Sequence, residues 1–158
     1  MAAPNPDDLR RAMALVPTPV TVVTAPGEEV AAGATANAVA SLSLDPPLML
    51  VCLDRRSRTL AAVRRAGRFA VNVLGAEGEG HARTFATPVP HIEKWKGVPV
   101  AERAGAPILD EAIVWVVCEL RDLLDGGDHV IVTGMVEELG SREGTPLLFH
   151  AGSYRPLD

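Results

Sequence analysis

The chain lacks several features that would assign it to a class at once. It has two cysteines, Cys52 and Cys118, each inside an apolar run, which favours reduced core thiols over a disulfide framework. No apolar run approaches the ~20 residues of a membrane span, and early charged residues interrupt the run that a signal peptide needs. We therefore expect a cytoplasmic protein with no membrane partner.

Basic residues are fewer than acidic residues in this chain. The chain carries 20 acidic and 15 basic residues, a formal net charge of -5, which disfavours binding to a nucleic-acid phosphate backbone. Its 158 residues are 47% hydrophobic and 22% charged, an ordinary balance for a folded chain. Because single domains cluster near ~100–150 residues, we expect one domain over residues 1–158.

Motifs for metal binding and hydrolysis are also missing. There is no Gly-x-Ser-x-Gly elbow for a hydrolase nucleophile. The glycine-rich run 75–80 places its third glycine wrongly for a dinucleotide site, and Glu77 and Glu79 would repel a pyrophosphate, so a flexible loop is expected. Four possible metal ligands lie scattered without paired spacing: Cys52, Cys118, His129 and His150.

The sequence is rich in short apolar and β-branched runs that predict strands. These runs cover residues 20–24, 48–53, 69–74, 113–120, 130–139 and 147–150, with tight turns at 25–29 and 125–128. Helices are predicted after the Asn5-Pro6 start and over 57–66, which Gly67 would terminate. Residues 75–106 are expected to be a functional or only locally helical loop. The pattern predicts a mainly-β, nearly closed antiparallel barrel with a few short helices.

Arginines are concentrated where a buried strand ends and a helix begins. Residues 54–65 hold five arginines and one acid, a local charge of +4. Ser57, Arg58 and Thr59 stand at the start of the predicted helix, where hydroxyls, cations and backbone N–H groups can converge on a phosphate. A solvated arginine face with Ser57 as N-cap would leave the same pattern, and spacing alone does not separate the two interpretations.

A run of small residues at 33–47 would let a flat ligand approach the backbone closely. Thr35, Asn37, Ser41 and Ser43 offer hydrogen-bonding groups to such a ligand. An edge strand at a packed interface explains the run equally well.

Three residues further on could act together. Taken singly, His129, Tyr154 and Arg155 are ordinary structural residues, but together they could hold a second, anionic ligand.

The ordered set of these segments resembles the flavin reductase family with the FMN-binding split-barrel fold, the small reductase components of two-component flavin monooxygenases. The resemblance rests on seven segments: Val20-Thr-Val-Val-Thr24, Thr35-Ala-Asn37, Ser41-Leu-Ser-Leu-Asp-Pro-Pro47, Ser57 with Thr59, Phe69-Ala-Val-Asn-Val-Leu74, Gly127-Asp-His129 and Leu147-Leu-Phe-His-Ala-Gly-Ser-Tyr-Arg155. It implies a Greek-key antiparallel barrel.

The resemblance also implies roles for particular residues. Those along the isoalloxazine ring and ribityl chain would be Thr35, Ala36, Asn37, Ser41, Leu42 and Ser43, with Cys52 and Phe85 lining the same pocket. Those at the flavin phosphate would be Ser57, Arg58 and Thr59. Those at the nicotinamide nucleotide would be His129, Tyr154 and Arg155. Ala38-Val39-Ala40 departs from the Ser-Phe-Thr common in the family, which predicts weakened flavin affinity.

The activity implied by the resemblance is hydride transfer from NADH or NADPH to FMN or FAD. The reduced flavin would then pass from a homodimer to a flavin-dependent monooxygenase. Such chemistry belongs to the cofactors, so the absence of a catalytic acid or base motif does not count against it. Two alternatives stay open at this point: a split barrel with tightly bound FMN acting on an organic substrate, and a non-catalytic flavin carrier.

Overall fold

Four short helices interrupt a mainly β chain in the computed structural model, which describes residues 1–158. They are α1 (Pro6–Met13), α2 (Arg58–Ala66), α3 (Glu79–Phe85) and α4 (His91–Lys94). Asn5 and Asp8 form a capping box at the start of α1, as the Asn5-Pro6 start predicted. Gly67 ends α2 with φ 67°, a left-handed conformation that favours glycine. None of the four helices is long and apolar enough to cross a bilayer.

Twelve strands make up the rest of the regular structure: β1 (Thr18–Pro19), β2 (Thr21–Ala25), β3 (Ala32–Ala36), β4 (Val39–Leu44), β5 (Pro47–Asp54), β6 (Arg68–Leu74), β7 (Val100–Arg103), β8 (Ala106–Leu109), β9 (Ala112–Gly126), β10 (His129–Ser141), β11 (Leu147–His150) and β12 (Ser153–Pro156). All six predicted strands are present, so the mainly-β prediction is confirmed.

One seven-stranded antiparallel sheet, in the order β3-β2-β6-β9-β10-β5-β4, forms the body of the fold. Its neighbours β2 and β6, and β10 and β5, are far apart in sequence, as Greek-key connections require. The sheet curls until β3 and β5 line opposite sides of one cavity. A small sheet, β1-β11-β12, lies beside this opening.

The core fills the inside of the curled sheet, and α2 closes one end of it. Leu60 and Val63 of α2 pack into a cluster with buried residues of β2, β5, β6, β9 and β10, Phe69 among them. The buried Asn72 side chain joins three strands: its Nδ2 donates to the Val22 carbonyl at 3.0 Å, and its Oδ1 accepts from the Leu109 N–H at 2.9 Å.

Two segments carry more regular structure than the sequence patterns predict. Residues 75–106, expected to be mainly loop, contain a 3-10 turn at Ala76–Gly78, helices α3 and α4, and strand β7. The small-residue run 33–47 forms most of β3, all of β4 and the start of β5, with β3 and β4 at the two edges of the sheet. Alanine, serine and glycine have little strand preference of their own, so the neighbouring strands decide their conformation.

Candidate functional site

Four adjoining cavities form one groove at the opening of the sheet. We name them the inner cavity (about 300 Å³), the mouth (about 480 Å³), the strip cavity (about 200 Å³) and the aromatic cavity (about 210 Å³). Thr35 lines the inner, strip and aromatic cavities, and Ser57 lines the inner cavity, the mouth and the strip cavity. These shared walls make the four cavities parts of a single binding surface.

The inner cavity is built to attract an anion. Three cationic side chains line it, those of Arg56, Arg58 and Lys94, together with the hydroxyl residues Ser57 and Thr59. No aspartate or glutamate is among its lining residues. Cations and hydroxyl donors without a competing carboxylate are the groups that proteins use to bind phosphate.

The end of β5 and the start of α2 place these groups. The Asp54 carboxylate accepts a hydrogen bond from the Arg56 backbone N–H at 2.7 Å, which sets the turn and lowers the pKa of Asp54 below its ordinary value. Ser57 then caps α2, its Oγ accepting from the N–H groups of Thr59 and Leu60. The turn therefore presents Arg56, Ser57 and Thr59 on one side.

The remaining arginines of the segment face elsewhere. Arg55 donates to the Gly127 carbonyl at 2.5 Å and pairs with Asp125, while Arg65 lies 3.7 Å from Glu28. Arg64 is exposed on α2. Of the five arginines, Arg56 and Arg58 therefore line the groove, and the other three lie outside it.

Arg58 also holds the far wall of the inner cavity. Its guanidinium donates to the carbonyls of Pro88 at 2.8 Å and Val89 at 2.6 Å. Those carbonyls belong to the segment 86–90 between α3 and α4, which lines both the inner cavity and the mouth. Hydrogen bonds therefore tie the start of α2 to this segment.

Helix α4 caps the free edge of β3 with side chains. The Gly33 N–H donates to His91 Nδ1 at 3.4 Å, and Lys94 Nζ donates to the carbonyls of Gly33 at 3.1 Å and Phe85 at 3.2 Å. Trp95 Nε1 donates to the Ala31 carbonyl at 2.7 Å. Because edge-strand backbone groups need partners when they are covered, these bonds hold α4 against the groove.

Burial of this corner lowers the pKa of two groups on α4, His91 and Lys94. Desolvation, followed by the charges of Lys94 and Arg58, lowers the pKa of His91 from 6.5 to about 4. Desolvation, followed by the charge of Arg58, also lowers the pKa of Lys94. At neutral pH His91 is therefore uncharged, and its Nδ1 can accept the Gly33 N–H.

The strip cavity and the aromatic cavity share a floor of small residues, Thr35, Ala36 and Asn37. Cys52 and His129 line the strip cavity, and Tyr154 lines the aromatic cavity. The Thr35 hydroxyl donates to the Ala82 carbonyl of α3 at 2.6 Å, so it holds the helix as well as lining the groove. The structure thus brings His129 and Tyr154 to the same small-residue floor.

Some residues named from the sequence lie elsewhere. Ser41, Leu42 and Ser43 are on the edge strand β4, and Arg155 is exposed on β12; none of the four is among the residues that line the groove of a single chain. Phe85 lines the inner cavity, but its side chain is 1% exposed. Its ring stacks edge-on against Trp95, with centroids 4.9 Å apart.

His91 and Lys94 are the groove residues that the sequence patterns do not reveal. They lie in the segment 75–106, where hydrophobic periodicity is weak. Their only signal is a spacing of three residues, one helical turn, and that spacing is equally typical of a solvated helix surface. Their partners on β3 are about 60 residues away in sequence.

Comparison with known proteins places these features among related chains. The family model described as the flavin reductase like domain matches residues 13–158. The chain is 41% identical over 135 residues to the reductase component of a 4-nitrophenol 4-monooxygenase/4-nitrocatechol 2-monooxygenase from Rhodococcus opacus, covering 85% of this chain and 72% of that protein. It is 40% identical over 161 residues to the NADH-dependent FMN reductase AsuE2 of Streptomyces nodosus subsp. asukaensis, covering 98% and 86%.

A solved structure shows the same fold over the whole chain. The NADH:FAD oxidoreductase SgcE6 of Streptomyces globisporus C-1027 has a TM-score of 0.90 and 34% identity, covering 100% of this chain and 98% of that chain. The predicted split-barrel fold is thereby confirmed.

Proposed function

The chain belongs to the flavin reductase family, and we propose that it transfers hydride from NADH to a flavin and supplies the reduced flavin to a partner monooxygenase. The observation that carries the proposal is the continuity of the groove, which joins a cationic cavity free of carboxylates to a floor of small residues. A flavin mononucleotide has two parts that complement this groove: a dianionic phosphate for the cationic cavity and a flat ring for the floor of small residues.

The residues present fit a flavin nucleotide. The Ser57 hydroxyl can donate its proton to a phosphate oxygen, because Oγ is the acceptor in both of its hydrogen bonds to the backbone of α2. Arg58 is already oriented by two carbonyls, so little side-chain entropy is lost when it binds a phosphate. Thr35, Ala36 and Asn37 would lie against the ring, and Cys52 beside it.

When bound, the nicotinamide and the flavin would supply the chemistry, which is transfer of a hydride from nicotinamide C4 to flavin N5. The protein's part is to hold the two rings in contact at ~3–3.5 Å and to exclude water. We assign His129 to the nicotinamide nucleotide, with Tyr154 and Arg155 nearby. In support, His129 lines the strip cavity and Tyr154 the aromatic cavity, on the two sides of the Thr35-Ala36-Asn37 floor.

The phosphate assignment is tested by replacing Ser57 and Thr59 with alanine together. The double variant should bind FMN at least about a hundredfold more weakly, since two hydrogen bonds to a charged group contribute roughly 1.5–3 kcal/mol each. Riboflavin, which lacks the phosphate, should bind as it does to the parent protein. Fluorescence quenching of each flavin measures both constants. An unchanged ratio of FMN to riboflavin affinity would remove the assignment.

Steady-state kinetics separate the proposed activity from its alternatives. Oxidation of NADH should depend on added flavin in a sequential pattern if the flavin is a substrate. A protein that purifies yellow and follows ping-pong kinetics would instead hold its flavin as a prosthetic group. Failure of NADH and NADPH to reduce any added flavin would favour a carrier.

We extend the proposal to a cytoplasmic homodimer in which residues 1–158 form a single domain. Edge strand β4 supports the dimer, because Leu42 and Leu44 leave 47% and 89% of their surfaces exposed there. Exposed apolar side chains on an unpaired edge favour association with another chain. A dimer would also cover Ser41, Leu42 and Ser43, which do not line the groove of one chain.

A further inference from the structure

The mouth is the open continuation of the inner cavity. Five of its six lining residues also line the inner cavity, and the sixth is Asp54, which lines the strip cavity as well. A ligand whose phosphate occupies the inner cavity and whose chain continues beyond that phosphate would therefore leave past Asp54.

The charge changes along this exit. Three cations and no carboxylate line the inner cavity, whereas the mouth has one cation, Arg56, and one carboxylate, Asp54. The two are joined, because Asp54 Oδ1 accepts from both the Arg56 N–H at 2.7 Å and Arg56 Nε at 3.4 Å. The Arg56 guanidinium, which could reach a second phosphate, therefore lies beside a fixed negative charge, with its side chain 91% exposed.

The space on the other side of the inner cavity offers no better path. Beyond Lys94 lies a cavity of about 510 Å³ lined by three glutamates, Glu77, Glu93 and Glu111, and by Lys94 and Lys96, so its lining carries a net negative charge. The strip and aromatic cavities would hold the flavin ring, and the two other spaces beside the inner cavity therefore each present a carboxylate to a group that extends from the phosphate.

FMN ends at one phosphate, whereas FAD continues through a second phosphate to adenosine. We propose, on the basis of the flavin reductase function above, that Asp54 is a specificity-determining residue that makes this site select FMN over FAD. It acts by placing a carboxylate beside Arg56, where the second phosphate of FAD leaves the inner cavity. One relative is named an FMN reductase and another an NADH:FAD oxidoreductase, so the flavin that is named differs between members of the family.

The direct test is Asp54→Asn, which keeps an oxygen that accepts the Arg56 N–H but removes the charge. Dissociation constants for FMN and FAD are measured by fluorescence quenching. The unmodified protein should bind FMN more tightly. The variant should bind FAD about threefold more tightly than the unmodified protein, with FMN changed less, because one partly exposed charge interaction contributes up to about 1 kcal/mol.

A matched control removes the same charge elsewhere. Glu102 is exposed on β7 and does not line the groove, so Glu102→Gln should leave both constants unchanged. The increase in FAD affinity caused by Asp54→Asn should be smaller at 0.5 M salt, where charge interactions at the open mouth are screened. Equal changes for FMN and FAD, or a control that reproduces the effect, would overturn the proposal.

A second variant covers the case in which Asp54→Asn does not fold. Arg56→Gln leaves the Asp54 charge unneutralised and should weaken FAD binding more than FMN binding, whereas equal losses contradict the proposal. If the unmodified protein binds neither flavin, the proposed function itself fails. If it binds FMN and FAD equally and both variants leave that ratio alone, only the role of Asp54 fails.

Discussion

The structural role of His91 depends on the charge state of its imidazole ring. Its Nδ1 accepts the Gly33 N–H, which a neutral ring permits and a protonated ring does not. Burial is the largest cause of its lowered pKa, and the charges of Lys94 and Arg58 add to that effect. The neutral imidazole is therefore part of how α4 is fastened to β3.

This arrangement makes stability depend on pH through His91. Its pKa is lowered from 6.5 to about 4 on folding, so the unfolded chain binds a proton more readily between those values. The contribution of the neutral ring is present above pH 6.5 and is lost as the pH falls towards 4. In urea denaturation, the parent protein should lose free energy of unfolding more steeply over this range than His91→Asn, which offers an amide oxygen but does not titrate. Parallel slopes would contradict the assignment, and His150→Asn on β11 serves as the control.

At the level of single residues, the sequence predicted local features well. Asn5, Ser57 and Gly67 act through groups within four residues of themselves, and all three have the roles that their positions indicated. His91 and Lys94 act on backbone groups of β3, about 60 residues away, and no local pattern reports that contact. Residues that work at a distance require the fold to be known first.

Among the elements, the packing of α3 and α4 on β3 decides the shape of the groove. Gly33 lies where Phe85 crosses the strand, and a Cβ there would come within 2.6 Å of the Phe85 ring. Phe85 is held in turn by Trp95, whose indole N–H bonds to the Ala31 carbonyl. A close approach of helix to strand explains why a glycine stands within β3.

Gly33→Ala should therefore destabilise the protein. The added methyl group must displace a buried aromatic ring, and such overpacking costs about 1–3 kcal/mol. Gly80→Ala in α3 is the matched control, because a Cβ at that position meets nothing within 4 Å. It should be neutral or stabilise the helix by roughly 0.5–1 kcal/mol. Thermal or urea unfolding of the two variants compares them, and equal stabilities would show that the ring moves without cost.

Strands were easier to predict than the elements that cover them. The six predicted strands carry apolar runs that the buried sheet requires, and runs of this kind are visible in sequence. Helices α3 and α4 are 7 and 4 residues long, too short for a clear hydrophobic periodicity. Tertiary contacts with β3, rather than local preference, hold them in place.

For the whole molecule, the exposed edge strand β4 is the feature that a single chain leaves unexplained. Its residues are mostly exposed, although Leu42 and Leu44 are apolar. The net charge of -5 is small enough for two copies to associate. A second copy would cover this edge.

Leu42→Lys should convert the proposed dimer into monomers, because a lysine on an edge strand opposes pairing with another chain. Sedimentation equilibrium should then give the mass of one chain for the variant and twice that mass for the parent protein. Val100→Lys is the control, since Val100 is also half exposed but lies on β7. A parent protein that sediments as a monomer would contradict the dimer, and a variant that stays dimeric would place the interface elsewhere.

Residues close together in the chain were enough to predict the mainly-β architecture, the caps of α1 and α2, and the concentration of cations at the start of α2. Only the folded chain shows that Lys94 joins Arg56 and Arg58 around one cavity, that no carboxylate lines this cavity, and that Asp54 lies at its mouth. A binding cavity is a property of surfaces that meet, and its walls come from β3, α2 and α4, which only the folded sheet brings into contact.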